Sequence, residues 1–171
     1  MVYSELDEKE MEKLQLTVEE DYNQLNGIIN EIIEPYCESL DRYVEFIREC
    51  LKDGEEPPTT SELEDWCLNL STYIYFAGGM AEQLGIKDDI SKAIYKEVYN
   101  NYRQSNEIKG TIADKNSLAE LASQQEYLTN VCYSRAYKMM KSKVENAQEL
   151  LQSAKKVLSH RMQEEELTRI Q

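Results

Sequence analysis

"IADKNSLAELASQQEYLTNVCYSRAYKMMKSKVENAQELLQSAKKVLSHRM", residues 112–162, holds neither glycine nor proline, and none follows to the end of the chain. Those two residues are the strongest punctuation of helical sequence. Their absence predicts one continuous helix over residues 112–165, roughly 80 Å long at 1.5 Å per residue. Its second half carries a seam, with Met140, Val144, Ala147, Leu151, Ala154 and Leu158 stepping 4-3-4-3-4. That heptad-like spacing turns one apolar face toward another helix. The stripe exceeds what a few short helices cover comfortably, so oligomerisation through coiled-coil-like packing is expected. Folding back on the chain's own earlier helices is the alternative.

The sequence upstream is also helical, with clear punctuation. An acidic start, residues 1–16, reads as a flexible terminus. "TVEE" then supplies a capping box, Thr17 with Glu20. Leu25, Ile28, Ile29, Ile32 and Ile33 share a face, and so do Leu40, Tyr43, Val44, Ile47, Cys50 and Leu51. Pro35 lies between them and predicts a break or kink, making residues 17–53 an acidic helical hairpin or kinked helix. "DGEEPPTT", residues 53–60, reads as a linker.

Residues 61–171 form the helical core. Ser61 and Glu64 match a second capping box, opening a helix with Trp66, Leu70, Tyr73, Ile74 and Phe76. Gly78 and Gly79 suggest close packing or a bend. Gly85 is expected to end that helix and Asp88 to cap the next, which Gly110 stops. "TIAD", residues 111–114, offers a third cap. The fold class is therefore all-α, a helical bundle with a long C-terminal helix.

Composition excludes several classes. Six glycines and three prolines in 171 residues disfavour many-turned β structure. Hydrophobic residues at 41% argue against wholesale disorder. No run reaches the roughly 18–20 apolar residues of a membrane span. The opening "MVYSELDEKEMEKL" lacks the cationic-then-apolar layout of a signal peptide, so a cytoplasmic protein is expected, in the bacterial host cytosol if phage-encoded. Cys37, Cys50, Cys67 and Cys132 are widely spaced and read as reduced core residues.

Charge is unevenly placed. Residues 1–66 hold 20 acids and 5 bases; residues 67–171 hold 13 acids and 14 bases. Within 135–161, Arg135, Lys138, Lys141, Lys143, Lys155, Lys156 and Arg161 face only Glu145 and Glu149. Late cations suit a helix C-terminus, which accounts for Lys155 to Arg161 but not for Arg135 to Lys143. Pairing with the acidic helices and phosphate binding with counterion release are the other two readings. Twelve tyrosines against two phenylalanines bear on the last. Tyr95, Tyr99 and Tyr102 share a face, while Tyr133 and Tyr137 flank Arg135 and Lys138. Tyrosine interleaved with Arg and Lys suits single-stranded nucleic acid, whose bases stack beside backbone-binding cations; a half-buried Tyr stripe is the competing reading. The nucleic-acid candidates are thus Tyr133, Arg135, Tyr137, Lys138, Lys141, Lys143, Lys155, Lys156 and Arg161. An acidic partner face is expected at Glu31, Glu34, Glu38, Asp41, Glu45 and Glu49.

Catalytic motifs are missing. One histidine, His160, leaves no His-rich metal site. Neither H-E-x-x-H nor G-x-S-x-G occurs, and "AGGM" lacks the Lys-Ser/Thr of a phosphate loop. No enzyme activity, metal, cofactor, membrane association or small-molecule substrate is expected.

Residues 63–162 resemble the UvsY-type recombination mediators of tailed phages. The resemblance rests on a Trp-containing helix (Trp66, Leu70, Tyr73), a middle helix mixing Lys and Tyr, and a long final helix with a basic tip (Lys155, Lys156, Arg161). It implies a helical ring-forming oligomer that binds single-stranded DNA and helps a RecA-like recombinase displace single-strand-binding protein, with no nucleotide hydrolysis. The family's basic segment lies earlier in the chain, where this sequence is acidic before Trp66. Two other functions fit: an acidic DNA mimic, inhibitor or adaptor, that binds a basic host protein, and a structural helical oligomer.

Overall fold

A computed structural model describes residues 8–53, 57–105 and 110–170, which form four α-helices. They are α1 (Glu8–Asp53), α2 (Thr60–Gln104), α3 (Ile112–Ala122) and α4 (Gln124–Ile170). The architecture is an all-α four-helix bundle with a long C-terminal helix. Only Ser123 separates α3 from α4, so the two follow each other as a third long rod beside α1 and α2.

Two helix starts show how the backbone selects among possible caps. Pro57 and Pro58 bias the chain toward extended geometry, and Thr59 follows at φ −67°, ψ 163°. The Glu62 N–H donates to the Thr59 hydroxyl at 3.3 Å, and the Thr59 N–H donates to Glu62 Oε2 at 2.7 Å. The capping box is therefore Thr59–Glu62, two residues before the expected Ser61–Glu64 pair. Thr111 and Asp114 form the cap that "TIAD" announces. Gly110 precedes it at φ +157°, where an added Cβ would stand 3.0 Å from the Asp114 side chain. Glycine alone suits that position. Hydrogen bonds from the capping threonines hold the Glu62 and Asp114 carboxyls below the usual carboxylate range.

Several expected helix ends do not occur. α1 begins at Glu8, inside the acidic 1–16 segment, and residues 1–7 lie outside the described residues. Thr17 is no cap: its hydroxyl donates to the Lys13 carbonyl one turn back, at 3.0 Å. α1 also runs through the Pro35 position as one helix, not a hairpin. Pro35 is exposed, so its ring and the carbonyl it leaves unpaired face water. Ile29, Ile33, Cys37 and Leu40 meanwhile bury the opposite face on both sides of it.

Gly85 does not end α2, and Asp88 caps nothing. An added Cβ on Gly85 would stand 3.3 Å from the Tyr137 ring of α4, so this glycine permits close approach. Asp88 instead accepts from the Asn130 amide of α4, at 3.1 Å to Oδ1. The one interruption in the third rod is Ser123, fully buried, with φ −104° and ψ 13°. Its hydroxyl donates to the Ala119 carbonyl at 2.7 Å, a back-bond that competes with the helical ladder.

The core lies where α2 and α4 run antiparallel, with α1 laid along them. Trp66, Leu70, Ile74, Ala77, Ala81 and Leu84 from α2 meet Ala136, Met140, Val144, Ala147 and Leu151 from α4. Five of the six proposed oligomer-seam residues, Met140, Val144, Ala147, Leu151 and Ala154, are thereby buried within the chain, and Leu158 is partly so. Within the chain their partner is α2, the alternative to an intermolecular seam. Among the described residues α3 packs on α2 and makes no contact with α1, and Met11, Leu14, Val18 and Tyr22 of α1 stay exposed.

Leu70, with no exposed surface, tests this core. Leu70→Ala is expected to cost about 2–5 kcal/mol in chemical denaturation. Leu121→Ala, on an exposed side of α3, should fall within roughly 0.5 kcal/mol of the parent.

Candidate interaction surfaces

α1 turns its apolar residues inward and its carboxylates outward, as a 3.6-residue period requires. Glu31, Glu34, Glu38, Glu45 and Glu49 are exposed along its outer face. Two of them have cationic neighbours on the same helix. Arg42 donates to Glu38, and Arg48 donates to Glu45 at 3.0–3.1 Å.

Asp41 departs from this set. Half-buried, it accepts from Lys143 Nζ of α4 at 2.8 Å through both oxygens. The Lys143 and Asp41 side chains remain 34% and 44% exposed, so the pair contributes on the order of 1 kcal/mol or less. Its placement matters more than its energy. It engages Lys143 and Asp41 with each other across the bundle and links α1 to α4. Beside it, the Cys37 thiol donates to Asp41 Oδ2 at 3.2 Å. Burial foremost, then the Asp41 hydrogen bond and charge, push the Cys37 pKa up to about 11.

The other α4 cations face outward. Arg135, Lys138, Lys155 and Lys156 are exposed and make no ion pair among the described residues. Lys141 lies 3.9 Å from Glu145. Eighteen residues make five helical turns, so Lys138 and Lys156 project the same way about 27 Å apart. Glu145 and Glu149 fall on that side between them. The cations therefore form two clusters rather than one continuous track. Arg161 sits half-buried at the opening of α2, in a shallow recess with Pro57, Thr59 and Thr60. His160 lies 3.5 Å from Glu164.

Several of the tyrosines pack against the protein itself. Tyr137 packs its ring over Gly85. Tyr95 contacts the Tyr99 and Tyr127 rings at centroid distances of 6.2 and 5.5 Å. Tyr133 is half-buried at the junction of two open clefts. One, of about 650 Å³, lies between α1 and α4 and is lined by Leu25, Ile28, Ile32 and Leu128. The other, of about 450 Å³, lies between α2 and α4 beside Ile90, Ile94 and Glu126. Lys87 Nζ donates to the Tyr36 hydroxyl at 3.1 Å and sits over that ring. The hydrogen bond from Lys87 to Tyr36 raises the lysine pKa.

One surface went unread in the sequence. The outward side of α2 exposes Leu68, Tyr75, Phe76, Ile86, Ile90 and Ile94. Its signal lies in composition: residues 66–81, "WCLNLSTYIYFAGGMA", contain no charge in a chain that is 30% charged.

Among the described residues no group of three or more His, Cys, Asp or Glu side chains could hold a metal ion, and no helix is long and apolar enough to cross a membrane. The four cysteines are free thiols: Cys37 and Cys132 are buried, Cys67 is half-buried, and Cys50 is exposed rather than in the core. Compared with protein-family models, curated proteins and solved structures, the chain matches none of them.

The thiols give a direct check. At about pH 8 an alkylating reagent should modify Cys50 quickly and leave Cys37 untouched until the chain unfolds. Folding favours the protonated Cys37 thiol. Its contribution is therefore complete below the ordinary thiol value of 9.0 and is lost as pH rises through about 11.

Proposed function

We propose that this chain is a non-enzymatic accessory protein of DNA recombination or replication, similar to the UvsY-type mediators. It binds single-stranded DNA along the outer face of α4, works as an oligomer, and presents acidic α1 to a RecA-like recombinase. The observation that carries this reading is the set of exposed cations on α4, Arg135, Lys138, Lys155 and Lys156, left without ion pairs among the described residues. The acidic helix neutralises only Lys143 across the bundle, among those residues. Two small cationic clusters on one rod bind DNA weakly, and several copies on one strand act together through effective concentration.

Four phosphate contacts on a single strand give a log–log salt slope near −3, so affinity should fall roughly 50-fold between about 50 and 200 mM salt. Fluorescence anisotropy with a labelled thymidine oligonucleotide measures it. Replacing Arg135, Lys138, Lys155 and Lys156 together with Ala should remove at least about tenfold of the low-salt affinity. Lack of binding at low salt, or binding indifferent to the fourfold change, overturns the proposal.

A second reading has its own observation. The exposed carboxylates from Glu31 to Glu49 extend about 27 Å along one face. Such a stripe suits the basic groove of a host protein, with the chain acting as a DNA mimic. Tight binding to a basic nuclease without any DNA affinity is its signature.

A further inference from the structure

Gly78 and Gly79 lie in the middle of α2, where each costs helix stability relative to alanine. Nothing among the described residues explains them. An added Cβ on either would meet no atom within 4 Å, unlike Gly85, which faces Tyr137. Beside them stand two large outward side chains, Tyr75 at 78% exposure and Phe76 at 62%. Their rings meet edge to face with centroids 5.5 Å apart. Leu68 and Ile86 extend the same side in either direction. Exposed apolar side chains recurring along one side of a helix mark an interface; Thr72, Glu82 and Gln83 stand among them.

We infer that this face of α2 pairs antiparallel with the same face of a second copy of the chain. Three features select a second copy over another occupant. First, the patch is self-complementary, as a two-fold interface demands. Tyr75 and Gly79 sit one turn apart on the outward side, so a two-fold axis at the level of Ala77 lays Tyr75 over the partner's Gly79 and sets the two copies' Phe76 side by side on one flank. The same axis sets Leu68 opposite the partner's Ile86. Second, the charges agree. Each copy carries a net charge of −14, so copies repel wherever α1 is presented, whereas residues 66–81 of α2 are uncharged. At the rims the axis brings Asp65 of one copy to within about two residues of the level of the partner's Lys87, on the same flank. Third, the size is adequate. About this axis the stretch from Leu68 to Ile86 overlaps its copy over about 27 Å, and two such helices bury on the order of 1,000 Å², the lower bound of a specific interface. The glycines allow the two backbones to approach closely.

This pairing supplies an interface for the oligomer of the proposed function and rests on that reading only there. It is measured without DNA, so a monomer that binds DNA and a dimer that does not are separate failures. The experiment is sedimentation velocity on the full chain over a concentration series from about 1 to 100 μM. The expected result is a species of twice the 20.0 kDa chain mass. Phe76→Asp should raise the dissociation constant at least tenfold with helix content unchanged. The double substitution Gly78→Ala, Gly79→Ala separates packing from folding. It should raise the melting temperature measured on dilute monomer and weaken the dimer at least tenfold. A chain that stays at 20.0 kDa throughout, or a double-alanine variant that dimerises as tightly as the parent, overturns the inference.

Discussion

The antiparallel apolar contact between α2 and α4 is the constraint on which the rest of this structure depends. It takes Leu70, Ile74 and Leu84 from one helix and Ala136, Met140 and Ala147 from the other. The small residues matter as much as the large ones. Ala77, Ala81 and Gly85 on α2 and Ala136 and Ala147 on α4 let two long helices approach, and Met140 fills the space between with no exposed surface. With that seam formed, α1 has a floor on which to bury Ile29, Ile33, Leu40 and Ile47, and Lys143 is held where Asp41 reaches it.

Much of the fold was legible because periodicity reports which side of a helix is apolar. The 4-3-4-3-4 spacing from Met140 to Leu158 located α4's inward face correctly. It could not name what covers that face, since a helix of the same chain and one of a second copy impose the same spacing. Helix ends were harder for a related reason. A glycine that stops a helix and one that admits a neighbouring ring look alike locally, and only the Tyr137 ring distinguishes Gly85. Ser123 was silent too: a serine interrupts a helix when buried and back-bonded, and its burial is a tertiary fact.

Counting charges showed an acidic front and a basic back but not which of those side chains face the bundle. Lys143 lies next to Val144 and three residues beyond Met140, so the helical period already placed it on the flank of the seam rather than outside. Tyr137 follows the buried Ala136 and is drawn into the same contact. Arg135 and Lys138 point away from the seam and survive as surface candidates. The carboxylates of α1 sort by the same rule, with Asp41 alone of the six drawn toward α4. The outward face of α2 was overlooked because its residues read as core on both sides of one helix. A run of sixteen uncharged residues cannot all face inward.

The fold requires that the α2–α4 seam be made within one chain. An isotope-filtered nuclear Overhauser experiment tests this on a sample mixing labelled and unlabelled protein. It reads the Gly85 α protons against the Tyr137 ring, which lies 3.3 Å from where a Cβ on Gly85 would stand. The contact should appear in the fully labelled protein and be absent from the spectrum filtered for contacts between copies. A Gly85–Tyr137 signal in the filtered spectrum would place the seam between chains and contradict the fold described.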